Sequence, residues 1–159
     1  MPQTGEGWNY IMAKFVYRMQ SILNIKEKME EQAKQAFAAA NHQLTVEEQR
    51  LQRLSQRRIQ YLAEGAVLRQ QLLDPLRLQE NAAALDYIKE AIIEQRIRVR
   101  KAEEAVERAR QILQEYMIER KTHEQLREAA FEEFKKELAK EESKEVDELV
   151  SYTYGQRRR

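Results

Sequence analysis

The chain has 159 residues, of which 35% are charged, with 28 Lys and Arg against 27 Asp and Glu. A typical soluble chain is roughly 25% charged, and this one contains only four Gly and two Pro. A β-rich fold needs turn-forming residues every ~8–12 positions. The composition therefore excludes such a fold and predicts an all-α protein of long helices.

Several functional classes are also excluded by composition. No window of about 18 apolar residues exists, so no transmembrane helix is expected. The absence of Cys excludes thiolate metal sites and cysteine nucleophiles, and favours a reducing compartment. The net charge of +1 comes from interspersed signs, so we expect neither nucleic acid nor anionic lipid as a partner. A cytoplasmic protein is the expectation.

The first helix is expected over about 14–62, because apolar residues recur there at steps of three and four. This row consists of Phe15, Met19, Ile22, Met29, Ala33, Ala36, Ala40, Leu44, Leu51, Leu54, Tyr61, Leu68 and Leu72. Charged residues interrupt the row at Lys26, Glu47, Arg50 and Arg58. Spacing near 3.5 residues is typical of a coiled-coil seam, and consecutive four-residue steps over residues 36–44 predict a local stutter.

The second helix is expected over about 75–148 and repeats the pattern more regularly. Its row consists of Leu85, Ile88, Ile92, Gln95, Val99, Ala102, Val106, Ala109, Leu113 and Tyr116. Polar residues then weaken the row at Arg120, His123 and Arg127, and apolar ones restore it at Phe131, Phe134 and Leu138.

The connection between the helices is expected over about 63–80. Gly65 is a candidate C-cap of the first helix. Asp74 followed by Pro75 is typical of an N-cap and the first position of the second. A short helix over residues 66–73 is compatible with this connection.

A short connection makes consecutive helices antiparallel neighbours. We therefore predict an antiparallel two-stranded coiled coil, a helical hairpin rod that forms a single domain over residues 12–150. A disordered leader is expected at residues 1–11, and a flexible basic tail at 151–159.

No constellation of residues points to catalysis or to a cofactor. His42 and His123 each stand without a second potential metal ligand at a repeated spacing, and no Gly-rich phosphate-binding loop is present. The carboxylates lie on solvated helix faces, where no concave pocket would desolvate them. We expect a protein that is not an enzyme and that binds no metal or other cofactor.

Some large apolar residues lie off both rows, namely Ile59, Leu62, Ile97, Ile112, Met117 and Ile118. Two interpretations remain open for them. They could broaden the seam by packing against the partner helix, or they could form a stripe that binds another protein.

Three segments, in order along the chain, resemble the FliJ family of flagellar export proteins. The opening, MAKFVYRMQSILNIKEKMEEQAKQAFAAA, has the Lys-Phe-apolar-Arg start and the helical spacing of Lys, Glu and Ala found in that family. Tyr61, Gly65 and the later LDYIKEAIIEQ resemble its middle, and KEESKEVDELV resembles its end. The resemblance covers about residues 12–150, while residues 1–11 depart from the pattern.

This resemblance implies a stalk-like coiled coil of the flagellar type III export apparatus. The implied partners are the hexameric export ATPase, the cytoplasmic domain of the export gate and export chaperones that the protein escorts. It also implies a monomer, peripherally associated with the cytoplasmic face of the inner membrane through the apparatus.

The family's binding residues can be carried over by position. The gate patch would comprise Leu54, Tyr61, Leu85, Ile88, Ile92 and Gln95. The ATPase contact, at the end of the hairpin that holds both termini, would comprise Phe15, Arg18, Met19 and Ile22. Arg57 stands where the family can have an aromatic residue. Several gate residues also lie on the seam row, so core packing competes with binding as their role.

Two alternatives remain open. The chain could be a structural or self-associating coiled-coil spacer, or the analogous stalk protein of a virulence type III secretion system. Pro75 together with Gly65 favours a folded-back monomer, because a parallel dimer would need the seam to continue through this segment.

Overall fold

The computed structural model describes residues 7, 10, 13–71 and 74–158. Helices α1 (Gln20–Gln70) and α2 (Pro75–Arg157) contain most of these residues, and no β-strand occurs among them. The two helices pack against each other as a hairpin, which confirms the predicted all-α coiled coil. Within the described ranges, neither helix has an apolar stretch long enough to cross a bilayer.

The chain divides into two compact units, in each of which α1 and α2 run antiparallel. The terminal unit comprises Met1–Glu30 and Tyr116–Arg159, and the loop unit comprises Glu31–Glu115. In the terminal unit Phe15 contacts Phe131 and Lys26 contacts Glu119. In the loop unit Glu47 contacts Gln95 and Tyr61 contacts Asn81. Residue numbers thus rise on one helix as they fall on the other. The single domain expected over 12–150 stays a prediction.

The start of α2 follows the capping prediction. The Asp74 Oδ1 atom accepts hydrogen bonds from the backbone N–H groups of Leu76 at 3.1 Å and Arg77 at 3.4 Å. Pro75, which has no N–H to satisfy, is the first residue of the helix. The predicted N-cap is confirmed.

The predicted connection over residues 63–80 is wrong, because α1 continues through Gly65 to Gln70. Only the segment between Gln70 and Pro75 joins the helices, and residues 66–70 of the expected short helix belong to α1. No described Gly has a positive φ, so Gly65 does not adopt the left-handed C-cap conformation.

The outer helix ends also differ from the prediction. Helix α1 begins at Gln20 rather than near residue 14, and α2 continues beyond 148 to Arg157, through most of the expected flexible tail. The expected leader, residues 1–11, lies largely outside the described residues.

Position 65, inside α1, is occupied by glycine because α2 approaches α1 closely at this point. A Cβ atom at Gly65 would lie 2.5 Å from the Oδ1 atom of Asn81, and Asn81 Nδ2 donates a hydrogen bond to the Tyr61 carbonyl at 2.9 Å. In an α-helix that carbonyl is the partner of the Gly65 N–H. The missing side chain of Gly65 therefore gives Asn81 access to the backbone of the other helix.

The seam of α1 agrees with the predicted row from Ala40 to Leu68 and differs from it nearer the start of the helix. Its members are Leu23, Lys26, Glu30, Ala33, Phe37, Ala40, Leu44, Glu47, Leu51, Leu54, Tyr61, Gly65 and Leu68, all buried or half-buried. Arg58 is an exposed member of the same row, and the steps alternate between three and four, so the predicted stutter over 36–44 is absent. The first part of the prediction failed because Glu30 is a seam residue, although charge usually marks an exposed position.

The seam of α2 agrees with the predicted row. All ten predicted members from Leu85 to Tyr116 are buried or half-buried. Ile88, Ile92, Gln95 and Ala102 are the most deeply buried of them. The later residues Arg120, His123 and Arg127 are also half-buried, so the row continues through its polar members.

We predict that the effect of Gly65→Ala depends on Asn81. Alanine is favoured over glycine in a helix by about 1 kcal/mol, but its Cβ would displace the Asn81 amide and break a hydrogen bond worth about 1 kcal/mol. Gly65→Ala should therefore raise the free energy of unfolding by about 1 kcal/mol in an Asn81→Ala background and by little or nothing when Asn81 is present.

Urea unfolding followed by circular dichroism measures this difference. Gly155→Ala is the matched control, because no atom lies within 4 Å of the added Cβ, and its effect should be the same in both backgrounds. An equal effect of Gly65→Ala in both backgrounds would contradict the proposed role of the close approach.

Candidate partner-binding surfaces

Charged side chains occupy the seam of the terminal unit. Lys26 Nζ donates a hydrogen bond to Glu119 at 2.7 Å, and Arg120 pairs with Glu30 and, at 2.7 Å, with Glu124. The Glu30 side chain is only 4% exposed. The hydrogen bonds that Arg120 donates to Glu124, and then to Glu30, raise the pKa of Arg120 above its ordinary value. Because loss of one partner would leave a charge buried and unpaired, these ion pairs favour one register of the two helices.

Phe15, a residue predicted to contact the ATPase, packs inside the terminal unit. Its ring centroid lies 5.1 Å from that of Phe131, edge to face, and 5.5 Å from that of Phe134. Such aromatic pairs contribute about 0.5–1.5 kcal/mol beyond area burial. Phe15 is half-buried as a result, and its main contacts are within its own unit.

The other three predicted ATPase-contact residues lie at the surface. Arg18 is exposed, and Met19 and Ile22 are each 37% exposed. Val16, which is 85% exposed, and Ile25 are also apolar and at the surface. We call Val16, Met19, Ile22 and Ile25 the terminal patch. Sequence reasoning missed Val16 and Ile25 because it assigned the seam to Ile22 instead of Leu23.

The last part of α2 is open to solvent. Every residue from 139 to 158 is exposed, and this stretch corresponds to about 30 Å of helix at 1.5 Å per residue. Val146, Leu149 and Val150 lie on one face of it, at the i, i+3 and i+4 spacing of an amphipathic helix. That spacing is present in the sequence, but the prediction for this segment was only the end of the second helix and a flexible tail.

A buried polar network lies at the centre of the loop unit. Gln95 Nε2 donates hydrogen bonds to the backbone carbonyl of Glu47 at 3.0 Å and to its carboxylate. The other carboxylate oxygen accepts from Gln43 at 2.8 Å and from Arg50 at 3.0 Å. Glu47 and Gln95 are about 95% buried. Both oxygens of this carboxylate are therefore satisfied within the loop unit.

The residues predicted to contact the gate fall into two groups. Ile88, Ile92 and Gln95 are buried in the seam of the loop unit, with Ile88 only 1% exposed. Leu54, Tyr61 and Leu85 are half-buried and keep part of their surface open to solvent. The six residues therefore share one unit, but they do not share one surface.

Two open grooves run along α1 of the loop unit. The first, of about 290 Å³, is lined by Arg50, Arg53, Leu54, Arg57 and Gln95. The second, of about 280 Å³, is lined by Tyr61, Glu64, Leu68, Arg77, Glu80, Asn81 and Ala84. Half-buried seam residues thus alternate with charged side chains along this side of the unit.

The apolar residues off the predicted rows are mostly exposed. Ile59, Leu62, Ile97, Ile112 and Ile118 are between 46% and 66% exposed, whereas Met117 is half-buried. Packing against the other helix therefore does not explain the first five. They are apolar surface of the kind that a partner can cover.

No group of residues suited to metal binding was found in the part of the chain that the structure describes. His42 is exposed and His123 is half-buried, with its Nδ1 atom buried and lacking a hydrogen-bond partner. The described surfaces carry exposed apolar side chains beside charged groups.

We predict that removing only one member of the Glu47–Gln95 pair lowers the free energy of unfolding more than replacing both members does. Gln95→Leu would leave the Glu47 carboxylate buried without its α2 donor, which should lower the free energy of unfolding by about 2–3 kcal/mol. A second substitution, Glu47→Leu, should restore most of this loss, because an apolar pair of similar volume is often as stable as a buried polar pair.

Urea unfolding of both variants and the wild type tests this prediction. The exposed pair Glu107–Gln111, whose hydrogen bond measures 3.2 Å, provides the control. Gln111→Leu should change the free energy of unfolding by less than about 0.5 kcal/mol. A double variant as unstable as Gln95→Leu alone would show that the network does not act as a unit.

Comparison with known proteins identifies the family. The family described as flagellar FliJ protein matches residues 15–159, a range that includes the terminal patch, both grooves and the exposed end of α2. No curated protein and no solved structure gives a significant match. Because the match covers nearly the whole chain, the protein belongs to the FliJ family, whose members are components of the flagellar protein export apparatus.

Proposed function

We propose that this chain links the hexameric export ATPase to the cytoplasmic domain of the export gate. The observation that carries the proposal is the exposed surface of the terminal unit. There the terminal patch and some 20 residues of α2 remain uncovered. Family membership supplies the identity of the partners, and the exposed apolar surface supplies a means of binding them.

The terminal unit is the part that binds the ATPase ring. The terminal patch offers apolar side chains that gain free energy when a partner removes them from water. On α2, the exposed side chains of Leu149 and Val150 can be buried by a partner in the same way. Phe15 positions the start of this surface through its contacts with Phe131 and Phe134, without needing to touch the ring itself.

The proposed mechanism requires no bond chemistry. An asymmetric pair of helices inside a sixfold ring contacts the six subunits differently, so it favours different nucleotide states in different subunits. A ligand shifts such an equilibrium only by its differential affinity for the two states. The chain therefore acts by binding, as a protein that is not an enzyme and needs no cofactor.

The loop unit is the part that binds the gate. Leu54 and Tyr61, which are half-buried on the groove side of α1, are the residues best suited to touch a partner. Leu85 is also half-buried. The burial of Ile88, Ile92 and Gln95 favours a supporting role for them, in which they hold α1 and α2 together beneath the contact surface.

Export chaperones are the third proposed partner. Ile97 and Ile112 of the loop unit are both exposed, and their separation of 15 residues offsets the two side chains by about 60° around α2. The exposed surface that they form can accept a chaperone. We also propose that the chain is a monomer and that the export apparatus holds it at the cytoplasmic face of the inner membrane.

We predict that Met19→Glu combined with Ile22→Glu strongly weakens the action on the ATPase. Each substitution introduces a carboxylate into an apolar contact, and a loss of about 1.4 kcal/mol per site is already a tenfold change in affinity. The wild-type chain should co-purify with the ATPase and stimulate ATP hydrolysis. The double variant should do both at least about tenfold more weakly.

Ile97→Glu is the matched control, since Ile97 is exposed and apolar but belongs to the loop unit. It should stimulate the ATPase like the wild type, and circular dichroism should show that all variants remain helical. If the wild-type chain neither co-purifies with the ATPase nor stimulates it, the proposed function fails, and a passive spacer becomes the better interpretation.

A further inference from the structure

Three arginines form a row on one face of α1 in the loop unit. Arg50, Arg53 and Arg57 have the i, i+3 and i+7 spacing that places side chains on the same side of a helix. They occupy about 10 Å of helix at 1.5 Å per residue. Between Glu48 and Glu64 the sequence contains no acidic residue, so α1 provides no neighbouring carboxylate for Arg53 and Arg57.

The charge of the row is poorly compensated within the loop unit. Arg50 donates a hydrogen bond to Glu47 at 3.0 Å, but the second oxygen of that carboxylate is already taken by Gln95. For Arg53 and Arg57, no ion pair is found among the described residues. Like charges at i, i+4 cost a helix a few tenths of a kcal/mol, so the row repels itself in the free protein.

The facing positions of α2 carry no carboxylate either. Arg50 and Arg57 each directly precede a seam residue of α1, and Arg98 and Ala91 hold the nearest corresponding positions before Val99 and Ile92 on α2. In an antiparallel coiled coil these flanking positions of the two helices lie on the same side and often exchange salt bridges. Neither an arginine nor an alanine can form an ion pair with the arginines of the row.

An apolar side chain, that of Leu54, lies between the arginines in the groove. Leu54 is half-buried and lines the groove of about 290 Å³ together with the three arginines and Gln95. A ligand with anionic groups alone would leave Leu54 in contact with water. A ligand that carries an apolar side chain between two carboxylates would cover Leu54 and neutralise Arg53 and Arg57 at the same time.

We propose that this groove, formed by Arg50, Arg53, Leu54 and Arg57, binds an acidic protein segment. Carboxylates of the segment pair with Arg53 and Arg57, and an apolar side chain packs on Leu54. The guanidinium group suits this role because it can donate two parallel hydrogen bonds to one carboxylate. The inference rests on the proposed function in one respect, namely that the segment belongs to the export gate.

A protein segment fits this surface better than a nucleic acid or a membrane does. Helix α2 carries Asp86, Glu90 and Glu94 in the same unit, all exposed. A phosphate backbone or an anionic bilayer is broader than the arginine row and would also meet these carboxylates. A single short segment can occupy the row and avoid them.

The test compares Arg53→Gln/Arg57→Gln with a matched control, Arg96→Gln/Arg100→Gln, which removes two exposed arginines of α2 outside the groove. The purified cytoplasmic domain of the export gate is titrated into each full-length protein by calorimetry, at low and moderate salt. We expect binding about tenfold weaker for the groove variant, with a smaller salt dependence, and within about twofold of the wild type for the control.

Two outcomes of the titration separate this inference from the proposed function. Equal affinity of the groove variant and the wild type would overturn the acidic-segment inference and leave the gate contact standing. Absence of binding by the wild type would overturn the gate contact. The inference is then decided by a synthetic peptide with two glutamates flanking a leucine, which should shift the NMR signals of the Arg53 and Arg57 guanidinium groups.

The glutamine version of this peptide is its control and should shift neither signal. Equal shifts from the two peptides, or none from either, would overturn the inference. Single-stranded RNA and phosphatidylglycerol vesicles provide the last comparison. Tight binding of either, lost in the Arg53→Gln/Arg57→Gln variant, would identify a general polyanion surface and contradict an acidic protein segment.

Discussion

Buried charge in the seam is the constraint on which the other features depend. Glu47 and Glu30 occupy seam positions of α1, and each needs a partner from α2, which Gln95 and Arg120 provide. A shift of either helix would leave a carboxylate buried without a donor, at a cost of several kcal/mol. Apolar seams tolerate such shifts more readily, so these polar contacts specify the pairing within each unit.

The pairing in turn decides which residues can meet a partner. Two helices bury only a narrow seam, and many apolar residues beside it stay at the surface. With Leu23 in the seam, Met19 and Ile22 are left partly exposed. Glu47 is held by Gln95 and Arg50, and Arg53 and Arg57 have no ion pair among the described residues. The surfaces proposed for the ATPase, the gate and an acidic segment all consist of residues that this helix pairing leaves at least partly exposed.

The sequence was sufficient to predict the α2 row and the Asp74 cap, because both depend on local spacing. It was insufficient for α1, where Glu47 was taken as an interruption of the seam and Glu30 was not recognised as a seam residue. Their burial depends on Arg120 and Gln95, which are distant in sequence. Gly65 was misinterpreted for a similar reason, since only the approach of Asn81 explains its place inside a helix. Half of the predicted gate patch is buried, because seam spacing alone does not separate core from contact surface.

The central claim is that one chain carries separate surfaces for the ATPase and the gate. Light scattering coupled to size exclusion tests it directly, on mixtures of the purified ATPase and the gate domain with and without this chain. We predict that a complex containing both partners forms only when the chain is present. A complex that forms equally well without it, or a chain that binds one partner only in competition with the other, would contradict the account.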